Sequence, residues 1–190
     1  MKESQEWGAW LFRNRSWLPV PLAISVIVLG RHLHVSPRLV TGGLALEGMG
    51  EALRLWAIRH IGTISRTRAR RIGPLVTSGP YAFVRNPLYV GNWCLWTGVV
   101  VCSGVLWMLP IVWLVFGVQY ALMVGHEERL LQERHEDYAD YMRQVPGWIP
   151  RVLRPRPAAT GPRVPWGAVL VSERSTLLAI AVMAALLLWR

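Results

Sequence analysis

The sequence predicts an all-α integral membrane protein, a multi-span helical bundle of about five spans that includes a tight helical hairpin. Hydrophobic residues make up 53% of the 190 residues, and 11 of them are tryptophan, which is too apolar for an ordinary soluble domain of this size. Apolar runs alternate with short charged or proline-containing segments, as spanning helices alternate with loops. A length of 190 residues fits one domain.

The charge of the chain is strongly basic and unevenly placed. Lysine and arginine number 21 against 11 aspartate and glutamate, a formal net charge of +10. Arginines gather in the gaps between apolar runs, as the positive-inside rule expects of cytoplasmic loops. These arginines are Arg66, Arg68, Arg70, Arg71, Arg151, Arg154, Arg156 and Arg163. We expect a membrane partner and no nucleic acid, because no basic face carries a nucleic-acid-binding signature.

The two cysteines, Cys94 and Cys102, both lie inside an apolar run. Without a CxxC pattern or paired histidines they argue against a zinc site and against a disulfide framework. We therefore expect two buried, inert thiols and no metal.

Four segments follow from the pattern of apolar and polar residues. They are an N-terminal interfacial helix (1–15), a membrane core (16–150), a Pro/Arg linker (151–165) and a C-terminal apolar helix (166–190). Trp7 and Trp10 lie at helical spacing in the first segment, which suits a helix on the membrane surface. The last segment is interrupted by the polar residues 172–175, so both a final span and a helix lying on the bilayer stay open.

The second apolar run of the core, from Leu39 to Ile61, carries charge. Glu47, Glu51 and Arg54 follow each other at i, i+4 and i+7, so all three project from one helix face. A carboxylate at membrane depth costs roughly 2.5–3.5 kcal/mol and usually faces the bundle interior. Two interpretations remain: a Glu51–Arg54 pair that satisfies itself, or the polar wall of a substrate site formed by Glu47 and Glu51.

The same run is rich in glycine. Gly42, Gly43, Gly48 and Gly50 would let another helix approach closely. The short Gly48-x-Gly50 pattern is not a nucleotide-binding loop, because no strand precedes it.

The hairpin is predicted in the apolar stretch from Val90 to Val124. This stretch is long enough for two closely spaced helices, with the bend near Ser103-Gly104 or Pro110. Both of its ends then emerge on the same side of the membrane, which places Arg85 near Glu127.

A polar segment flanks each end of the hairpin. Before it comes GPYAFVRNPLYVG, in which Pro80 and Pro87 break any long helix. After it, residues 125–145 predict one amphipathic helix that Pro146 ends. The next residues, 148–150, are expected to form a strap that returns to the membrane interface.

These two polar segments carry residues that suit one class of ligand. They are the aromatic Tyr81, Tyr89, Tyr138 and Tyr141, the cation Arg85, the amide Asn86 and the carboxylates Glu127 and Glu128. A ligand with a carboxylate, an amine, a ribose, a purine and a sulfonium would use all of them, and S-adenosylmethionine is such a ligand. The competing interpretation is a set of headgroup contacts and interhelical salt bridges.

The two motifs together resemble the isoprenylcysteine carboxyl methyltransferase family and the related membrane phospholipid methyltransferases. The resemblance covers about residues 73–150, from GPYAFVRNPLYVG through the hairpin to HEERLLQERHEDYADYMRQVPGWIP. It implies several spanning helices, a cofactor pocket on the cytoplasmic side, and methyl transfer from S-adenosylmethionine. The implied acceptor is lipid-like or small and hydrophobic: a prenylcysteine carboxylate, a phospholipid amine or a thiol.

The resemblance also implies roles for individual residues. The implied cofactor-binding residues are Gly79, Tyr81, Arg85, Asn86, Pro87, Tyr89, Glu127, Glu128, Tyr138 and Tyr141. Arg85 and Glu128 are the candidate catalytic residues. Trp93 and Trp96 are candidates for the wall of an acyl or prenyl route, or they face lipid. Asn86 stands where many members carry histidine, which removes that base, and His135-Glu136 stands where Phe-Gly is usual.

Two other functions fit part of the pattern. An NADPH-dependent membrane sterol or lipid reductase would need a further basic pocket for a phosphate. A non-catalytic lipid-binding scaffold would need only the arginines, and it gives no reason for tyrosines and paired glutamates beside the hairpin. The expected location is the plasma or inner membrane, with the active site on the cytoplasmic side. The acceptor, the oligomeric state and the role of the helix after Pro150 do not follow from the sequence.

Overall fold

A computed structural model describes Trp7, Trp10, Trp17 and residues 19–62, 75–151 and 163–189. Within these residues the chain forms α-helices, two short 3-10 turns and no strand, which confirms the all-α class. The helices are α1 (Pro19–Gly30), α2 (Pro37–Ile61), α3 (Pro87–Ser103), α4 (Leu109–Arg134), α5 (Tyr138–Gln144) and α6 (Trp166–Leu188). The 3-10 turns are Gly79–Ala82 and Leu106–Met108.

Some predicted features fall outside the described residues. They are most of the interfacial helix at 1–15, the arginine-rich loop at 66–71 and nearly all of the linker at 151–165. These remain predictions.

Proline marks the start of most of the helices. Pro19, Pro37 and Pro87 are the first residues of α1, α2 and α3, and Pro110 is the second residue of α4. Proline suits this position because the first helical N–H groups have no partner within the helix and its fixed φ matches the helix. At α2, Ser36 adds a cap, since its hydroxyl accepts a hydrogen bond from the Leu39 amide at 3.4 Å.

The tight hairpin is present and bends where the sequence predicts. α3 ends at Gly104, whose φ of +78° is left-handed, and the Leu106–Met108 turn leads directly into α4. Aromatic rings pack along the two antiparallel arms. The Trp96 ring centroid lies 5.1 Å from that of Phe116, which in turn stacks on Tyr120 at 5.3 Å.

Helices α2 and α3 pack backbone to backbone through four glycines. Gly43 and Gly50 of α2 face Gly98 and Gly91 of α3, respectively, and each pair is two helical turns from the other. A Cβ atom added at Gly50 would lie 2.6 Å from the Gly91 carbonyl oxygen, and one added at Gly98 would lie 2.6 Å from that of Gly43. The expected close packing is therefore confirmed at Gly43 and Gly50.

The ends of the helices define two ends of the bundle. We call one the site end. It holds the start of α3, the last turns of α2 and α4, and the start of α6, where the Val164 amide donates to the Arg59 carbonyl at 2.9 Å. The opposite end holds the hairpin bend, where Gly30 of α1 lies against Ser103.

Two helical segments are long and apolar enough to cross a membrane, Leu106–Arg134 with 29 residues and Trp166–Leu187 with 22. Helix α1 is apolar but has 12 residues, and α2 has 25 residues with a charged face. α6 runs without a break through residues 172–175, so the polar group there does not divide it. The expectation of about five spans remains a prediction.

The glycine packing can be tested on α2 itself. Gly50→Ala should lower the thermal denaturation midpoint, because the new methyl group meets the α3 backbone, and overpacking costs roughly 1–3 kcal/mol. Gly48→Ala is the matched control, since its Cβ would have no neighbour within 4 Å. That variant should be unchanged or stabilised by up to about 1 kcal/mol. Circular dichroism in detergent measures the midpoints. Equal midpoints for the two variants would contradict close packing of α2 against α3.

Candidate active site

The segment before the hairpin and the segment after it are joined at the site end by backbone hydrogen bonds. The Arg85 amide donates to the Pro146 carbonyl, and the Arg151 amide donates to the Phe83 carbonyl, each at 2.9 Å. The two polar stretches that the sequence singles out therefore lie side by side, although some 60 residues separate them in the chain.

The Arg85 guanidinium joins three parts of this end. Its Nε donates to Glu128 Oε1 at 3.0 Å, and its Nη1 donates to the carbonyls of Met142 at 3.0 Å and Val145 at 2.9 Å. The Arg85 and Glu128 side chains are only 14% and 16% exposed, so this ion pair is largely shielded from solvent. A planar fork with several donors can make such contacts simultaneously, which a lysine could not.

The second glutamate is held by a tyrosine. The Tyr89 hydroxyl donates to Glu127 Oε1 at 3.0 Å. Asn86 places its amide nitrogen 3.1 Å from the Gly147 carbonyl and 3.5 Å from Glu128 Oε1. The expected proximity of the turn before α3 to these two carboxylates is therefore present.

The helix after the hairpin differs from the prediction. Instead of one separate helix at 125–145, α4 continues to Arg134 and the short α5 follows. The break occurs at His135, whose φ of −131° and ψ of 108° are extended. His, Glu and Asp at 135–137 include poor helix formers, and the break turns α5 back against α4.

This break lets a small core form beneath α5. Tyr138, Tyr141 and Val145 are buried together, and Leu131 and Met142 pack on them.

Three tyrosines at the site end, Tyr81, Tyr138 and Tyr141, are buried. The Tyr141 hydroxyl donates to the Tyr81 carbonyl at 2.8 Å. Burial, and then the neighbouring Glu128 carboxylate, raises the pKa of Tyr138, and burial raises the pKa of Tyr81. The Tyr81 and Tyr138 phenols therefore stay neutral, and all three tyrosines serve packing here. Their expected role against a cofactor remains a prediction.

Gly79 and Pro87 shape the backbone of the first segment. Gly79 has a φ of +60°, and a Cβ added to it would lie 2.5 Å from the His60 ring, so glycine is required on both counts. The His60 ring nitrogen Nδ1 lies 2.9 Å from the Ser78 hydroxyl, which ties the segment to α2. Pro87 then starts α3.

Four aromatic side chains, which we call the aromatic cluster, lie beside the two glutamates. They are Tyr89, Trp93, Tyr120 and Trp148. The Tyr89 centroid is 4.9 Å from Tyr120 and 6.5 Å from Trp148, and the Trp93 centroid is 6.2 Å from Tyr120 and 6.3 Å from Trp148. Sequence reasoning proposed Tyr89 and Trp93, took Trp148 only as part of a strap, and missed Tyr120. Two turns separate Tyr120 from Glu127 on α4, and that spacing was the available signal.

The remaining candidates lie elsewhere. Glu51 forms an ion pair with Arg54 at 3.2 Å, as one of the two interpretations expects. Glu47 is buried against Gly98, 11 residues along α3 from Pro87, which is roughly 16 Å along the helix axis. Trp96 packs in the hairpin core. The structure therefore does not bring Glu47 to the Arg85–Glu128 contact.

No group of three or more His, Cys, Asp or Glu side chains that could hold a metal ion occurs among the described residues. The site end presents carboxylates, an amide and aromatic faces at one end of an apolar helical bundle.

Comparison with known protein families places the chain in a known class. It belongs to the phospholipid methyltransferase family, whose model matches residues 39–137, from α2 to the break after α4. The expected family relationship is thereby confirmed, and α5 and α6 lie beyond the matched region.

Individual relatives refine this membership. The chain is 32% identical over 118 residues to the cobalt-zinc-cadmium resistance protein CzcN of Cupriavidus metallidurans, covering 62% of this chain and 52% of that protein. It is 34% identical over 127 residues to the protein-S-isoprenylcysteine O-methyltransferase of Rattus norvegicus, covering 59% and 41%. The matches thus span about half or less of these curated relatives. No solved structure matches the chain.

The holding role of Arg85 leads to a prediction that does not depend on activity. In Arg85→Lys, one ammonium cannot contact Glu128 and both carbonyls, and each buried carbonyl left without a partner costs roughly 1–3 kcal/mol. We expect faster amide hydrogen exchange across α5, measured by mass spectrometry. Arg143→Lys is the control, since that side chain is 75% exposed on α5 itself. Unchanged exchange in Arg85→Lys would show that the guanidinium does not hold α5.

Proposed function

We propose that this protein transfers a methyl group from S-adenosylmethionine to a lipid-like acceptor at the membrane. The observation that carries the proposal is the meeting of Arg85, Asn86 and Tyr89 with Glu127 and Glu128 across the mouth of the hairpin. Membership of the phospholipid methyltransferase family supports it, as does similarity to relatives named as isoprenylcysteine O-methyltransferases.

The donor set fits this cofactor. Glu127 and Glu128 supply carboxylates that accept hydrogen bonds from an amine or from ribose hydroxyls. Tyr89, Trp93 and Trp148 supply aromatic faces for a purine and for a positively charged sulfonium, which aromatic rings attract. S-adenosylmethionine, when bound, supplies an electrophilic methyl group.

Arg85 acts in this proposal by holding a carboxylate. Its guanidinium is engaged by Glu128 and by two backbone carbonyls, so it fixes where that carboxylate lies. A carboxylate that is already oriented needs little reorganisation when a ligand arrives. Glu128 is then the group that contacts the ligand.

The reaction requires little covalent chemistry from the protein. The acceptor lone pair forms a bond to the methyl carbon as the carbon–sulfur bond breaks, so the side chains have to align the two partners and exclude water. An acceptor carboxylate or thiolate reacts without a base. An amine must lose a proton, and Glu128 is the candidate to take it, since Glu47 on α2 packs against Gly98, far from the start of α3.

The site end faces the cytoplasm in this proposal. The described arginines at this end are Arg59, Arg85, Arg129, Arg134, Arg143, Arg151 and Arg163, whereas Arg31 and Arg38 are at the opposite end. Such an excess favours the cytoplasmic side. The exposed apolar surface of α4 and α6, for example at Leu114 and Leu178, suits contact with lipid.

Cofactor binding is the first test. Glu127→Gln and Glu128→Gln should each raise the Kd for S-adenosylmethionine about tenfold or more, because a charge-assisted hydrogen bond is lost at a shielded position. Isothermal titration calorimetry in detergent measures this. Glu133→Gln, which removes an exposed carboxylate from the same helix, should bind as the wild type does. Wild-type affinity in both test variants would remove these residues from the site.

The acceptor is the second test. Wild-type protein given methyl-labelled S-adenosylmethionine and a total lipid extract should label a lipid or prenylated product, and chromatography identifies its class. Glu128→Gln should reduce the label about tenfold or more if this carboxylate holds the cofactor. Absence of label together with binding of NADPH would favour the reductase, and absence of both would favour the scaffold.

A further inference from the structure

Helix α6, which lies beyond the family match, reaches into the bundle through one carboxylate. Glu173 accepts a hydrogen bond from Arg54 Nη2 of α2 at 2.6 Å. Arg54 also donates from Nε to Glu51 at 3.2 Å and from Nη1 to the side-chain oxygen of Asn92 on α3. Thr176, one turn further along α6, lies 3.5 Å from Nη2.

This Arg54 cluster is shielded from solvent. The side chains of Arg54, Glu51 and Glu173 are 11%, 9% and 1% exposed, respectively. Burying charges is costly even when they are paired, and apolar residues would hold two helices together as well or better. Specific placement of a group is a function that apolar packing would not supply.

The group that Arg54 places is Asn92, which leads to the proposed site. Asn92 is three residues from Tyr89 on α3, so the two lie on one helix face. Arg54 also packs across this turn of α3, since a Cβ atom added at the glycine before Asn92 would lie 2.6 Å from Arg54 Cγ. Tyr120 packs on Tyr89 at 4.9 Å, and Tyr89 donates to Glu127. Arg54 therefore holds the turn of α3 that carries Tyr89, and Tyr89 contacts a glutamate of the proposed site.

Attachment of α6 does not depend on Glu173 alone. The Arg59 guanidinium lies 4.4 Å above the Trp166 ring, and the Val164 amide donates to the Arg59 carbonyl. Val169 and Leu187 of α6 are also buried in the bundle. These contacts dock the helix at several points along its length, which leaves the Arg54 contact available for a second role.

We propose that Arg54 and Glu173 are positioning residues for the aromatic cluster, acting through Asn92 on the turn of α3 that carries Tyr89 and Trp93, so that α6 is part of the methyl-transfer unit. The proposal rests on the proposed function, because a methyl-transfer unit exists only if the protein transfers methyl groups. The structural coupling between α6 and Tyr120 does not depend on the proposed function. Glu173 fixes the guanidinium, the guanidinium holds Asn92 and its turn of α3, and that turn places the Tyr89 and Trp93 rings on which Tyr120 packs.

Kinetics distinguishes positioning from mere attachment. In Glu173→Gln and Arg54→Lys, kcat per folded molecule should fall about tenfold while KM for S-adenosylmethionine stays within about twofold, because Glu127 and Glu128 are retained and only alignment suffers. Arg174→Gln, an exposed neighbour on α6, is the matched control and should keep wild-type values. Unchanged kcat in both test variants, whatever their melting temperatures, would overturn the proposal.

A double-variant comparison checks the path. Asn92→Ala should lower kcat by a similar factor, and adding Glu173→Gln to it should cause little further loss, since both changes interrupt one series of contacts. Independent, multiplying losses would overturn the path through Asn92.

A spectroscopic measurement decides the coupling without any assay of activity. With 3-fluorotyrosine at position 120, the fluorine resonance should shift or broaden in Glu173→Gln and in Arg54→Lys, and should not change in Arg174→Gln. A wild-type resonance in both test variants would overturn the coupling. A wild-type protein that binds no S-adenosylhomocysteine would contradict the proposed function instead, and the fluorine resonance would still decide whether α6 and Tyr120 are coupled.

Discussion

The Arg85 guanidinium connects the start of α3, the last turns of α4 and the end of α5 through one carboxylate and two carbonyl groups. The rest of the site end depends on this contact, because α5 has only 7 residues and the buried core beneath it is small. A charge-assisted hydrogen bond is strongest where solvent is excluded, and here both partners are largely shielded. Placement of Glu128, of the strap at 146–148 and of Trp148 in the aromatic cluster follows from it.

A second constraint operates deeper in the bundle. The glycine contacts let the α2 and α3 backbones touch, so long side chains from α2 reach past α3 to other helices. Arg54 does so, and its guanidinium meets Asn92 and Glu173. Close backbone packing and the buried ion pair therefore depend on each other, since a wider separation of the helices would leave the charges without partners.

The family match and the structure divide the chain in an informative way. Residues 39–137 hold both glutamates, Arg85 and most of the aromatic cluster. Trp148 and Glu173 lie outside this range, yet Trp148 packs against Trp93 and Glu173 pairs with Arg54, which are both inside it. Elements beyond the matched region thus contact groups within it.

The sequence by itself determined the all-α class, the hairpin with its bend near Ser103-Gly104 or Pro110, and the two polar segments, because apolar runs, prolines and glycines act over a few residues. Only the tertiary structure decided that Arg85 holds Glu128, that Tyr138 and Tyr141 are buried, that α4 and α5 are separate helices, and that Glu173 pairs with Arg54. The Arg85–Glu128 and Arg54–Glu173 contacts join residues that are 43 and 119 positions apart in the chain, respectively. No local pattern encodes such partners, since each depends on how closely two helices pack and on which side chain reaches across.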